Sequence, residues 1–352
     1  MGIHLLVNPI KWVKKNFGKK RTDFLINLIS GGENFYYLDK IYDSQQKRLV
    51  KRLTLLLPGK GCSWAKISGG CSMCGFPSKV KEIGKKFSAD DLIGLYKIAE
   101  LMTIEERPEN LTIYNAGSFL NDEEISPKAQ IEITNLVKKH PSIKLLFIES
   151  RAEFVTSQKI KKLTSLLENK KLEVGIGLEA VNEKVRNKFI NKGLSLKTYE
   201  EAIKTLKKNK ALSSTYVFIK PLYLNEWEAI EEAIITAEYA HKTGSDKINF
   251  EAAFVQKGTL LAAFYEKGEF RPPWLWSIIE VLKRTHHLNN IQIGNFNDEP
   301  PPIAIPHNCP KCSSQIEKII RQYRETNNIH LFDELDCECK EEWKKIIAKY
   351  ID

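Results

Sequence analysis

All seven cysteines of this 352-residue chain fall in two short windows: Cys62, Cys71 and Cys74 near one end, and Cys309, Cys312, Cys337 and Cys339 near the other. An odd number of cysteines in a large chain that reads as intracellular argues against a disulfide framework and for metal chemistry. The first window reads Gly61-Cys62-Ser63-Trp64-Ala65-Lys66-Ile67-Ser68-Gly69-Gly70-Cys71-Ser72-Met73-Cys74-Gly75-Phe76, a C-x8-C-x2-C spacing in a glycine-rich loop after an apolar strand. Three thiolates with no histidine nearby suit three irons of a [4Fe-4S] cluster better than a structural zinc, which wants a fourth protein ligand. The fourth iron is then free to chelate a small molecule. The glycines let the backbone wrap the inorganic core, while Met73 and Phe76 could exclude water and face a purine ring. The alternative is an incomplete zinc site.

The second window, Cys309-Pro310-Lys311-Cys312 followed by Cys337-Glu338-Cys339, supplies four ligands at spacings suited to a closed tetrahedral zinc site. Such a site would staple the last ~50 residues, too few to build a core of their own. A second iron-sulfur cluster is the alternative, and His307 is a spare ligand or a surface residue.

These windows need a scaffold, and the intervening chain provides one. Short β-rich runs alternate with amphipathic stretches, the pattern of parallel strands joined by crossover helices. Strands are expected at Lys51 to Leu57, Leu111 to Asn115, Lys144 to Glu149, Leu172 to Glu179, Ser214 to Lys220 and Asp246 to Glu251. Helices are expected at Ala89 to Leu101, Pro127 to Lys139, Ser157 to Leu167, Glu183 to Asn191, Leu196 to Asn209 and Glu226 to Thr243, with Ser88 and Asp91 forming an N-terminal capping box. Polar residues gather where the strands end: Asn115, Gly117 and Ser118; Glu149, Ser150 and Arg151; Glu179; and Lys220. In barrel-like α/β folds those carboxyl ends form the active-site mouth.

Composition sets the outer bounds. With 42% hydrophobic and 28% charged residues the chain is globular, and 54 Lys plus Arg against 44 Asp plus Glu leave a net charge of +10. That charge permits a nucleic-acid partner without requiring one. No stretch approaches the roughly 18 apolar residues of a membrane span, so the expectation is a cytoplasmic protein without membrane insertion. Met1 to Thr22 holds six Lys or Arg and no acid, readable either as a nucleic-acid contact or as a solvated leader. The expected organisation is a basic extension over 1–48, a core over 49–300 and a four-cysteine module over 301–352.

The cysteine loop, Asn115-Ala116-Gly117-Ser118-Phe119-Leu120, Glu149-Ser150-Arg151-Ala152-Glu153, Gly175-Ile176-Gly177-Leu178-Glu179, Val255-Gln256-Lys257-Gly258-Thr259, Arg271-Pro272-Pro273-Trp274-Leu275-Trp276 and His307-Asn308-Cys309 together resemble the radical S-adenosylmethionine (SAM) superfamily. The resemblance is to its Elp3-like branch, and within it to the radical SAM subunits of archaeosine synthase. It implies an α/β fold, a partial (β/α)6 barrel with a small metal-stapled extension, in which Cys62, Cys71 and Cys74 hold a [4Fe-4S] cluster and SAM binds the open iron. Residue by residue it implies that Phe76 faces the adenine, Gly117 and Ser118 meet the methionine amine, and Arg151 pairs with the methionine carboxylate. Glu149 or Glu179 would hold ribose hydroxyls or substrate, with Lys220 at the same mouth; no catalytic side chain is assigned.

For those subunits the resemblance implies a lyase step on tRNA, in which a lysine-modified 7-cyano-7-deazaguanine loses its lysine skeleton by carbon-nitrogen cleavage to leave archaeosine. The implied partners are tRNA, a transglycosylase-like subunit and an external one-electron reductant. Two other functions remain open at this level: a radical SAM enzyme of the same build acting on a small metabolite, lipid or peptide, and a metal-stabilised RNA-binding protein without turnover.

Overall fold

The structure is a computed structural model, and it describes residues 35–76, 87–288, 290–297 and 301–350. The basic leader around Lys11 to Arg21 lies outside the described residues. The chain opens with an antiparallel pair, β1 (Tyr36–Asp43) and β2 (Arg48–Leu56). From β2 onward every strand is parallel to the last: β3 (Asn110–Tyr114), β4 (Leu145–Glu149), β5 (Lys171–Glu179), β6 (Leu212–Ile219), β7 (Lys247–Ala252) and the short β8 (Ile291–Ile293). They lie side by side in sequence order in one eight-stranded sheet.

Each crossover carries a helix: α2 (Ala89–Thr103), α3 (Pro127–Lys139), α4 (Ser157–Leu167), α5 (Leu196–Lys208), α6 (Glu226–Thr243), and, before β8, α7 (Leu260–Glu266) and α8 (Leu275–Thr285). A short helix, α1 (Ser63–Ser68), sits in the first cysteine window. The six expected strands and five of the six expected helices form within a few residues of their assigned bounds. Ser88 and Asp91 make the expected capping box on α2. The remaining one, expected at Glu183 to Asn191, is helical over 183–189, with a π turn at Val185–Phe189.

Alternation along the strands gives the sheet two different faces. Leu172, Val174, Ile176 and Leu178 of β5 are at most 1% exposed and pack with the helices, as do Val217 and Ile219 of β6. The opposite face carries Gly175 and Gly177 beside Tyr216 and Glu149. A Cβ at Gly175 would lie 2.7 Å from the Phe147 ring and 3.0 Å from that of Tyr216, so the strand has no side chain where the barrel interior must admit those rings. The interior is therefore polar and aromatic rather than aliphatic.

Residues 301–350 add α9 (Ser313–Thr326) and α10 (Cys339–Ala348). Helix α9 packs on β1 and β2, and the Tyr323 hydroxyl donates to the Ile291 carbonyl of β8 at 3.3 Å. It thus links the two outer ends of the sheet, where unpaired backbone would otherwise be exposed. Ile316, Ile320, Tyr323, Phe332 and Trp343 are buried in the same apolar cluster as the barrel helices, so this segment shares the main core. Strand β1 likewise brings the part of the chain before residue 49 into the sheet.

Candidate functional site

Cys62 is the N-cap residue of α1, directly beyond the carboxyl end of β2, and three other segments tie its loop down. The first lies beyond β3. The buried Glu124 carboxylate accepts from the Ser63 N–H at 2.8 Å and, through its other oxygen, from the Ser118 N–H; Asn121 donates both to Glu124 and to the Ser63 hydroxyl. Gly117 permits this, because a Cβ there would sit 2.0 Å from Glu124 Oε2.

The second segment follows the π turn. The Trp64 indole N–H donates to the Asn191 carbonyl at 2.7 Å, Asn191 Nδ2 donates to the Gly70 carbonyl at 2.8 Å, and the Ser72 N–H donates to the Ile190 carbonyl at 2.8 Å. Gly193 packs against Trp64 so closely that a Cβ would lie 2.2 Å from the ring. The third segment lies beyond β7, where Gln256 accepts from the Gly75 N–H at 3.1 Å and Leu261 N–H donates to the Ser72 carbonyl.

The cysteines of this loop are partly buried among charges. Burial pushes the Cys74 thiol up to about 12, while the Phe76 backbone N–H donates to it. Cys71 is also raised by burial, against the pull of Lys192 and Arg151. Lys192 forms a buried ion pair with Glu179 at 2.7 Å; burial disfavours its charge, but the carboxylate and the nearby Cys71 raise its pKa. A cation is thereby fixed beside the thiols.

The strand-end residues are brought to this one mouth, with distinct partners. Ser118 is fully buried and its hydroxyl accepts from the Arg151 N–H, while the Phe119 N–H donates to the Glu149 carbonyl. The Arg151 guanidinium donates to the carbonyls of Lys192 at 2.9 Å and Gly193 at 3.1 Å, pairs with Glu153, and lies 4.9 Å from the Trp64 ring centroid. Glu149 accepts from the Tyr216 hydroxyl at 2.6 Å, and burial raises its carboxyl to about 7. Lys220 pairs at 2.6 Å with buried Glu226, whose other oxygen accepts from Trp274 N–H and the Ser277 hydroxyl. Lys220 is thus directed toward α6 and α8. Both amide atoms of buried Asn115 and the Ser72 hydroxyl have no partner, although both residues flank the cysteine loop.

The late cysteines form a second, different site. Cys309, Cys312, Cys337 and Cys339 have sulfurs within 4.8 Å of one another, with separations of 3.6–3.7 Å between Cys309 and Cys312, Cys309 and Cys337, and Cys312 and Cys339. Bonds of ~2.3 Å at tetrahedral angles around one ion place sulfurs about 3.8 Å apart. Although burial opposes it, hydrogen bonds from the Cys312 backbone and the other thiols hold Cys309 down at about 7. Trp276 Nε1 donates to Cys339 at 3.4 Å, and His307 turns to the Ile305 carbonyl. Among the described residues no other group of three or more Cys, His, Asp or Glu side chains is so close. The early window offers three thiols, the donor number that leaves one iron of a four-iron cluster without a protein ligand.

Sequence spacing does not single out Glu124, Asn121, Lys192 or Gln256. A run such as Asn121-Asp122-Glu123-Glu124 carries a signal only once Gly117 is known to lack the side chain that would exclude it.

No protein-family model matches the chain. It is 35% identical over 304 residues to the archaeosine synthase subunit beta of Methanosarcina acetivorans, covering 85% of each chain. The chain belongs to the archaeosine synthase subunit beta family. A second member, from Thermococcus kodakarensis, is 30% identical over 306 residues, 84% of this chain and 91% of the relative. Among solved structures, the Elp3 of Methanocaldococcus infernus superposes with a TM-score of 0.48 at 14% identity, over 67% of this chain and 58% of that one. Among the described residues of this family member, no helix is long and apolar enough to cross a membrane.

Proposed function

We propose that this chain is a radical SAM enzyme of tRNA modification, carrying out the carbon-nitrogen lyase step that yields archaeosine. The observation that carries the reading is the three-cysteine loop, locked at the carboxyl ends of the parallel strands in a chain of the archaeosine synthase subunit beta family. Cys62, Cys71 and Cys74 would hold a [4Fe-4S] cluster whose open iron takes SAM. When bound and reduced, this pair supplies a 5'-deoxyadenosyl radical that removes a substrate hydrogen.

The chain's own residues prepare that site. Gly117, Ser118 and the unpartnered Asn115 amide offer polar contacts to the amino-acid end of SAM, and Phe76 offers a ring to its adenine. Lys192, held by Glu179, balances negative charge around the thiolates. Arg151 positions the Asn191–Gly193 backbone that clamps Trp64, and Lys220 braces α6 through Glu226. Glu149, about half protonated near neutral pH and bonded to Tyr216, can donate or accept a proton inside the barrel. The late four cysteines hold a single tetrahedral metal ion, read as zinc, in a structural role. A transglycosylase-like subunit that attaches the lysine, an external reductant and a cytoplasmic location complete the reading.

Anaerobic protein reconstituted with iron and sulfide tests it. Four irons and one zinc per chain, with 5'-deoxyadenosine released from SAM on adding reductant and tRNA bearing the lysine-modified base, is the expected outcome. Turnover driven by a small metabolite but never by tRNA would move the assignment to the metabolite reading.

A further inference from the structure

Three aromatic side chains meet at the mouth from the segments that follow three neighbouring strands. Phe189 comes after β5, Tyr223 after β6 and Phe264 after β7. The Tyr223 ring centroid lies 4.9 Å from that of Phe189 and 5.3 Å from that of Phe264, the latter edge-on. Phe189 and Phe264 pack against the same apolar cluster as Cys71 and Met73, which places the group beside the cysteine loop.

Packing alone does not account for Tyr223. Its φ is +69°, a left-handed conformation that costs a bulky side chain of this kind of order 1–3 kcal/mol. Yet the ring remains 58% exposed, so little burial offsets that cost. The turn Lys220-Pro221-Leu222-Tyr223 is left-handed at both ends, sending Lys220 inward to Glu226 and Tyr223 outward. Cations flank the group: Lys184 Nζ lies 5.3 Å from the Phe189 centroid and Lys267 Nζ 5.9 Å from that of Phe264, and both lysines are exposed. An exposed ring flanked by two ammonium groups is an arrangement that can stack a base while holding its phosphates.

We infer that Phe189, Tyr223 and Phe264 form a platform on which an unpaired nucleobase of the RNA substrate stacks at the entrance to the barrel, with Lys184 and Lys267 contacting the flanking phosphates. The inference rests on the tRNA reading above and adds where the strand is gripped. None of the hydrogen bonds given above for the cysteine loop and the strand ends involves Tyr223, so its replacement separates grip from chemistry.

The test compares Tyr223→Asn, which removes the ring but tolerates the left-handed backbone, with Tyr223→Phe, which keeps the ring. Titration of the holoenzyme with unmodified tRNA should give a dissociation constant about tenfold weaker for Tyr223→Asn and unchanged for Tyr223→Phe. The slope of log affinity against log salt should stay the same for Tyr223→Asn and flatten for Lys184→Ala with Lys267→Ala, by about 0.7 to 0.9 for each phosphate no longer neutralised. Release of 5'-deoxyadenosine without RNA should be equal in all of them. Equal affinity of Tyr223→Asn and the parent for tRNA would overturn the platform and leave the enzyme assignment standing. A parent enzyme that cleaves SAM but binds no tRNA would overturn the tRNA reading and the platform with it.

Discussion

Glu124 accepts a hydrogen bond from the backbone N–H of Ser63, the residue directly after Cys62, at 2.8 Å, while its second oxygen takes the N–H of Ser118 at the end of β3. One buried carboxylate thus sets the position of the first thiol relative to the strand ends. Glu124→Ala would leave two buried N–H groups unpaired, at about 1–3 kcal/mol each. We expect a loss of about 2–5 kcal/mol in urea unfolding and a reduced iron content, with Glu124→Gln intermediate because the amide can still satisfy one donor.

The two cysteine sites should separate cleanly in metal analysis. Cys62→Ala, Cys71→Ala or Cys74→Ala should each abolish visible cluster absorbance and SAM cleavage while leaving the late metal in place. Cys309→Ser should do the reverse, losing zinc and stability while the folded fraction keeps its iron, since a closed site contributes folding energy. Iron in place of zinc at the late site in anaerobic protein would contradict the structural assignment.

Arg151→Lys should loosen the clamp on the cysteine loop even though charge is kept. A lysine cannot reproduce the fork that reaches the Lys192 and Gly193 carbonyls together. The expected cost is about 1.5–3 kcal/mol, on the scale of a charged hydrogen bond. Faster hydrogen exchange over residues 191–193 is the readout.

These features are unequally legible in the sequence. Regular alternation and capping signals place the parallel strands and most crossover helices, and the cysteine spacings distinguish a three-thiol loop from a four-thiol staple. The resemblance implies that Arg151 pairs with the methionine carboxylate, and strand-end position puts Lys220 at the same mouth, yet the carbonyls that Arg151 grips at 192 and 193 and the carboxylate of Glu226 that holds Lys220 become visible only in three dimensions. Glu124 and Lys192 escape a sequence reading for the same reason: each acquires its role from a contact with another loop. Strand β8 is only three residues long, and β1 carries a mixed pattern exposed to solvent, so neither gives a periodic signal.

Glu149 predicts a pH dependence. Its folded-state carboxyl titrates at about 7 because burial raises it, above the ordinary carboxylate value of 4.5. The folded state therefore holds the proton more tightly, and stability should fall as pH rises from about 4.5 to 7 and level off above, by on the order of 3 kcal/mol. Glu149→Gln should shrink that fall, measured as the difference between urea midpoints at pH 5 and pH 8.

The central claim, radical cleavage on tRNA, is tested most directly by nucleoside mass analysis. Reconstituted enzyme, SAM and reductant are incubated with tRNA carrying the lysine-modified deazaguanine, and the digested nucleosides are measured. The account predicts archaeosine appearing together with 5'-deoxyadenosine, and neither with Cys74→Ala. An unchanged nucleoside profile from protein with an intact cluster that still cleaves SAM would contradict it.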